Sequence, residues 1–241
     1  MISKNHIKLI HSLELKKNRK REGLFVAEGP KVVGDLLMAG YQPRMLFSTT
    51  ERPDAELINE EELHKISFLQ HPQEVLAIFE IPTPSTHHPA PKTLSLALDG
   101  VQDPGNLGTI IRVADWFGIT NIYCSLDTAD VYNPKVVQAT MGSLAHVQVT
   151  YTDLSELFKG MSSSFPIYGT LLDGENIYEQ ELTSQGIIVM GNEGKGISPE
   201  VRQYITHKLL IPDFHTDGLR AESLNVAIAT AITCSEFRRR Q

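Results

Sequence analysis

Cysteine is scarce in this sequence: Cys124 and Cys234 are the only two in 241 residues. Two cysteines exclude a disulfide framework. Neither has a CxxC partner or a histidine at zinc spacing, so a reducing, cytoplasmic setting is expected. Long apolar runs are absent as well, and nothing approaches the ~18 uninterrupted apolar residues of a membrane-spanning helix. The N-terminus, MISKNHIKLIHSLELKKNRKR, is basic and amphipathic and lacks the apolar core and small-residue cleavage site of a secretory signal. A soluble protein with no membrane partner is expected. His87 and His88 are adjacent, project differently and have no convergent partners, so no metal is expected either.

Net positive charge is also lacking, since the chain carries -7 at neutral pH. The charge is unevenly placed. Residues 1–35 hold eight Lys/Arg against four acids, Arg238-Arg239-Arg240 add three bases, and residues 36–237 hold eleven bases against 25 acids. Cationic ends let a polyanion be met locally while the acidic bulk repels non-specific binding. The cluster Lys16, Lys17, Arg19, Lys20 and Arg21 is the candidate contact, although a cluster of this kind taken by itself is more often a solvated helix end.

Pro82, Pro84, Pro89 and Pro91 punctuate a stretch with almost no large apolar residue. It reads as a semi-rigid linker over 82–93, dividing a first domain, 1–81, from a second, 94–241. In the first domain a basic helix is expected near 3–20, then the strand LFVAE, a helix from Pro30 to about Met38, the strand RMLFS, a helix around 59–68 and the strand VLAIFE. That is a small α/β domain. From Leu94 onward strands and helices alternate: SLALDG, helix 106–117, NIYCS, helix 134–145, VQVT, helix 153–159, PIYGTLL, GIIVMG, helix 198–204, KLLIP and a last helix from about 222. Near-continuous apolar strands alternating with helices predict a mostly parallel sheet covered on both faces.

Three stretches of the second domain share one form, an apolar strand, a polar or glycine-rich loop and the start of a helix. Such turns bring backbone N–H groups and helix N-termini together around a ligand. In DGVQDPGNLGTIIRVADWF (Asp99 to Phe117), Asn106 is expected to cap the helix, with Asp103-Pro104-Gly105 as the turn before it and Arg112 pointing away from the packed face. VMGNEGKGIS (Val189 to Ser198) fails both the Walker pattern and the dinucleotide pattern GxGxxG. It leaves Glu193 as a carboxylate at the end of a strand, and Ser198-Pro199 as cap and first residue of a helix. In IPDFHTDGLRAESLNVAIATAI (Ile211 to Ile232), Ser223 and Asn225 open a helix apolar on nearly all sides, expected to be buried all round; Ser223 can serve as its cap.

The patterns NxGxxxR from Asn106 to Arg112, MGNEG from Met190 to Gly194 and SLNV from Ser223 to Val226 resemble, in kind and in order, the three motifs of the SpoU/TrmH branch of the SPOUT RNA methyltransferases. The stretch REGLFVAEGPKVV, Arg21 to Val33, resembles the substrate-binding domain that precedes them in rRNA ribose methyltransferases, a domain similar to an RNA-gripping ribosomal protein. The resemblance implies a C-terminal trefoil knot, a homodimer, and transfer of a methyl group from S-adenosylmethionine to a ribose 2'-hydroxyl. Large-subunit (23S) ribosomal RNA is the expected target and transfer RNA the runner-up. It also implies that Asn106, Arg112, Glu193, Ser223 and Asn225 surround the reacting hydroxyl, while Thr170, Leu171, Leu172, Gly191, Asn192, Gly194, Ile211 and Leu224 surround the cofactor. A guanidinium is a poor proton acceptor near neutrality, so Arg112 is expected to hold the target phosphate and hydroxyl, oriented by Glu193. The loop from Asp213 to Glu222, which carries Asp213, His215 and Asp217, is longer than the common family form. The chief alternative is a non-catalytic RNA-binding or assembly factor on a methyltransferase scaffold; a phosphate-loop hydrolase is a distant third.

Overall fold

The computed structural model describes residues 2–83, 93–214 and 223–239. The linker residues Pro84, Pro89 and Pro91 and the loop residues His215 and Asp217 lie outside the described residues. The chain divides into two compact units, the first made of residues 1–84 and 130–146 and the second of 85–129 and 147–241.

The first unit opens with α1 (Lys4–Ser12), whose first turn is capped by Ser3, its hydroxyl accepting from the His6 N–H. The single basic helix expected near 3–20 is instead two, because the chain breaks at Leu13–Leu15 before α2 (Lys16–Glu22). Two carbonyls at the break, those of Leu13 and Glu14, accept from Arg19 Nη1, each at 2.7 Å. Gly23, at φ +67°, ends α2 and leads into β1 (Leu24–Glu28). Pro30 then starts α3 (Pro30–Met38) at a position whose N–H would have no helical partner. There follow β2 (Pro43–Ser48), β3 (Glu56–Leu57), α4 (Glu60–Ile66) and β4 (Val75–Glu80). Asn59 and Glu62 form a reciprocal capping box at the start of α4. The sheet order is β1-β4-β2-β3, with β4 antiparallel to both neighbours. The two-residue β3, too short to carry a periodic pattern, extends it parallel to β2.

Glu28 ends β1 inside this unit, its carboxylate accepting from the Ser67 hydroxyl and from the Phe68 N–H at 2.8 Å. Burial pushes the carboxyl above its ordinary value, against the downward pull of those two hydrogen bonds. The folded protein therefore holds this proton more tightly than the unfolded chain does. Its contribution to stability is present at low pH and is lost as pH rises through the raised value. Glu28→Gln keeps an acceptor for Phe68 and a partner for Ser67 without the buried charge. It is expected to flatten the stability profile above about pH 4.5 and to leave stability at pH 7 no lower than the parent's, read from urea midpoints. A loss of more than ~1 kcal/mol at pH 7 would show that the ionised carboxylate is required there.

The chain continues through β5 (Leu94–Asp99), α5 (Pro104–Trp116), β6 (Asn121–Cys124) and α6 (Pro134–Ala139). The helix expected over 134–145 stops early, because Met141 and Gly142 take positive φ before a short 3-10 turn at Ser143–Ala145. Residues 130–146, expected in the second domain, pack within the first unit, where Tyr132 lies 4.8 Å from Phe25, ring to ring. Next come β7 (Gln148–Tyr151), α7 (Leu154–Lys159), β8 (Ile167–Asn176), β9 (Gly186–Gly191), α8 (Pro199–Arg202), β10 (His207–Leu210) and α9 (Val226–Arg239). The second unit's six strands run in the order β10-β8-β9-β5-β6-β7, every neighbouring pair parallel.

From β5 the chain lays strands outward to β6 and β7, then crosses to the other side of β5 for β8 and β9. Strand order thus reverses between β5 and β9. The loops that leave the C-terminal ends of these two strands flank the crevice where open α/β sheets bind ligands. α9 is not buried all round, as its composition suggested. Val226, Ala227, Thr230 and Cys234 are buried, but Ile228 is 53% exposed and Ile232 only half-buried. Both cysteines are free and buried, and burial pushes their thiols up, so neither is a nucleophile at neutral pH.

Candidate active site

Three side chains, one from each motif, meet at the β5/β9 crevice. Asn225 Nδ2 donates to Asn106 Oδ1 at 2.9 Å, and Asn106 Nδ2 donates to Glu193 Oε1 at 3.0 Å. The chain begins at α9, where Asn225 Oδ1 accepts from the backbone N–H groups of Ala227 and Ile228 at 2.9 and 3.3 Å. Its polarity is dictated at both ends. Helix N–H groups can only donate and a carboxylate can only accept, so each asparagine has one possible amide orientation. Each NH2 retains a second hydrogen and Glu193 retains lone pairs. The cluster can therefore both donate to and accept from a hydroxyl or phosphate placed against it.

Local sequence explains how the groups get there. Asp103, not Asn106, caps α5: Asp103 Oδ1 accepts from the Asn106 N–H at 2.8 Å. Pro104 occupies the first helical position, which fixes the start two residues earlier than expected and frees the Asn106 side chain to bridge. Asn225, not Ser223, caps α9; Ser223 is exposed just ahead of it. Ser198 and Pro199 do open α8, and the Ser198 N–H donates to Asp99 Oδ2 at 2.7 Å.

Arg112 is exposed on α5, two turns beyond the cap, and makes no hydrogen bond or ion pair among the described residues. Glu193 therefore does not orient Arg112 as expected; it holds Asn106. The same helix face ends in Trp116, which is 85% exposed.

The proposed cofactor residues cluster at adjoining strand ends. Lys208 pairs with Gly169 but Leu209 pairs with Glu175, so residues 170–174 of β8 leave the ladder. Thr170 Oγ1 ties the departing segment to the Val189 carbonyl at 3.2 Å. Asp173 anchors it further on; the Lys208 ammonium and then the Arg202 guanidinium hold its carboxyl below the usual carboxylate range. Leu172 is 78% and Leu224 51% exposed, with Leu171 and Ile211 half-buried. At Gly191 a Cβ would stand 2.3 Å from the Gly196 carbonyl carbon, so the 191–196 turn closes only around glycine. Gly194 is exposed and its N–H donates to Asn192 Oδ1. The Asn192 side chain is held at both ends within the protein, Oδ1 by two N–H groups and Nδ2 by the Gly100 carbonyl, which ties it to the two loops.

Of the basic cluster, Lys16, Lys17, Lys20 and Arg21 are exposed in the first unit. Arg19 is only 2% exposed and its guanidinium is consumed by Asp130 and the Leu13 and Glu14 carbonyls. It is a buried brace and not an RNA contact. Among the described residues no group of three or more His, Cys, Asp or Glu side chains is placed to hold a metal ion, and no helix is long and apolar enough to cross a membrane.

The whole chain has relatives. A family model described as the SpoU rRNA Methylase family matches residues 93–235, and one described as an MRM3-like substrate binding domain matches residues 4–77. The sequence is 29% identical over 237 residues to the 23S rRNA (guanosine(2553)-2'-O)-methyltransferase RlmP of Bacillus subtilis, covering 94% of this chain and 93% of that protein. Among solved structures it matches a TrmH-family protein from Porphyromonas gingivalis with a TM-score of 0.88 and 46% identity, covering 100% of both chains. It matches an AdoMet-bound rRNA methyltransferase from Sinorhizobium meliloti with a TM-score of 0.87 and 32% identity, covering 100% of this chain and 96% of that one.

Proposed function

The chain belongs to the SpoU rRNA methylase family, and on that premise we propose that it is an S-adenosylmethionine-dependent methyltransferase acting on a ribose 2'-hydroxyl of 23S ribosomal RNA. The observation that carries this reading is the Asn225–Asn106–Glu193 chain at the switch point of the sheet. The name of the Bacillus relative supports ribosomal over transfer RNA. In this reading residues 1–81 bind RNA, 94–241 carry out the chemistry, the C-terminal region holds the family's trefoil knot, and the protein works as a cytoplasmic homodimer.

S-adenosylmethionine, when bound, supplies an electrophilic methyl group on a sulfonium sulfur. The residues at its expected place fit it. Thr170 to Leu172 and Ile211 would offer backbone groups and Leu172 and Leu224 exposed apolar surface, while Gly191 lets the 191–196 turn close beside them. With that group in place, the ribose oxygen would form the new O–C bond as the S–C bond breaks. Charge is dispersed in that step, so alignment of the reactants counts for more than an oxyanion hole. Asn106 and Glu193 align the hydroxyl through their remaining N–H and lone pairs. Arg112, with its guanidinium free, holds the neighbouring phosphate, and the hydroxyl proton leaves to phosphate or water. Ser223, exposed just ahead of Asn225, is assigned to the same hydroxyl in this reading.

Transfer of labelled methyl from S-adenosylmethionine to total RNA from cells lacking this protein tests the reading. After alkaline hydrolysis the label is expected in resistant dinucleotides, because a methylated 2'-oxygen cannot attack its own phosphodiester. Label confined to mononucleotides would move the chemistry to a base. No label despite cofactor binding would leave the scaffold reading.

The dimer is supported by the apolar stripe of Ile228 and Ile232 on α9, beside Leu224. A second copy is the occupant that this reading assigns to it. Ile228→Glu places a charge in that stripe without disturbing the buried face of the helix. It is expected to turn a sedimenting dimer into a monomer; a parent that sediments as a monomer at micromolar concentration would overturn the assignment.

A further inference from the structure

The turn that carries Glu193 is held by one side chain. Asn192 Oδ1 accepts from the N–H groups of Gly194 and Lys195, both at 3.0 Å, and its backbone exchanges two hydrogen bonds with Gly196. These bonds close 192–196 into a rigid turn with Glu193 near its apex. The remaining polar atom reaches out of the turn, Nδ2 donating to the Gly100 carbonyl at 2.7 Å. Gly100, at φ +75°, is the first residue beyond β5, and its own N–H is held by Ser125 Oγ at 2.8 Å. A Cβ there would meet Asn192 Cβ at 3.6 Å and Asp127 Oδ2 at 3.2 Å, so the two loops approach across a bare backbone.

Gly100 opens the segment that leads into α5 and Asn106, while Asn192 adjoins Glu193. The 2.7 Å bond between them therefore sets the separation of the two loops whose side chains must meet at Asn106 and Glu193. We infer that Asn192 is a positioning residue for methyl transfer, one that registers Glu193 against Asn106 across the β5/β9 crevice, and not a cofactor contact. The inference rests on the methyltransferase reading. It also distinguishes two functions within one amide: Oδ1 preserves the turn, and Nδ2 places it.

Asn192→Asp separates them, since it keeps the acceptor for Gly194 and Lys195 and sets an oxygen against the Gly100 carbonyl. With the parent and variant shown folded by thermal melting, kcat for RNA methylation at saturating cofactor is expected to fall at least about tenfold, as small misplacements of reacting groups do. The calorimetric Kd for S-adenosylmethionine is expected to stay within about threefold, because the turn itself is intact. Combined with Glu193→Gln, the loss should not multiply: the double variant should be no slower than Glu193→Gln alone. An unchanged kcat, a defect confined to cofactor affinity, or a fully multiplicative double variant would each overturn the inference. Where Asn192→Asp does not fold, Asn192→Ser, which keeps a short acceptor for the turn and drops the Gly100 bond, serves in the same cycle. A parent that transfers no methyl would overturn the methyltransferase reading itself, whereas an active parent with unaffected variants overturns only the role of Asn192.

Discussion

Asn106→Asp is expected to lower the single-turnover rate of methyl transfer at pH 7.5 at least about thirtyfold while leaving the protein folded, a larger loss than the roughly tenfold expected of Asn106→Ala. The shape is unchanged, but the group 3.0 Å from Glu193 Oε1 becomes a carboxylate oxygen in place of a donor. Two unit charges at that separation repel by about 1 kcal/mol in water and about 5 kcal/mol at an effective dielectric constant near 20. Glu193 is exposed, which favours the lower part of that range, and the lost hydrogen bond adds about 1 kcal/mol. Every ~1.4 kcal/mol withheld from the transition state is a factor of ten. The pair escapes repulsion by swinging Glu193 away or by sharing a proton. A protonated aspartate would donate to Glu193 as the amide did, so the variant should recover relative to the parent as pH falls towards 5.5. Rates measured at the two pH values check both parts. A variant within about threefold of the parent at pH 7.5 would remove the Asn106–Glu193 bond from the catalytic machinery.

The residues of that bond were legible in the sequence because short motifs fix them: Asn106, Glu193 and Asn225 each follow a strand, Asn106 in the first turn of its helix and the other two ahead of theirs, and all three converge. What sequence did not reveal was the bond itself. β5 and β9 pair in parallel with Leu94 opposite Gly186, and no local pattern specifies a partner so distant. The cap of α5 is written in the sequence, since Asp103 before Pro104 is a strong start signal. The departure of residues 170–174 from the ladder, the two-residue β3 and the bracket made by Asn192 leave no periodic trace. For α9 the apolar composition predicts burial on nearly all sides without saying whether a face is covered by its own chain or by a second copy, and Ile228 is exposed in the single chain. Arg19 is the sharpest case. Within a run of lysines and arginines it looks like its neighbours, and its partner, Asp130, stands 111 residues away.

Arg19→Met is therefore expected to cost the first unit about 3 kcal/mol of stability, with no direct effect on RNA binding. Four donor interactions disappear together: two to the carbonyls that break the helix at Leu13 and Glu14, and two to Asp130. A methionine fills the volume but leaves Asp130, whose side chain is 16% exposed, as an under-solvated charge. Partial access of water to Asp130 keeps the cost below the upper end of the ~3–5 kcal/mol typical of a broken buried pair. Adding Asp130→Asn should recover part of the loss, which a purely steric defect at Arg19 would not allow. Near-UV circular dichroism of Tyr132 and Tyr41 against urea follows this unit, because Tyr132 packs on Phe25 two residues from Asp130. The exposed neighbours should behave oppositely. Replacing Lys16, Lys17, Lys20 and Arg21 by glutamine is expected to move stability by no more than ~0.5 kcal/mol. The slope of log affinity against log salt should shrink by roughly 0.7–0.9 for each phosphate that these side chains no longer neutralise. A normal urea midpoint in Arg19→Met, or a salt slope reduced by that change as much as by its neighbours, would return Arg19 to the surface that meets RNA.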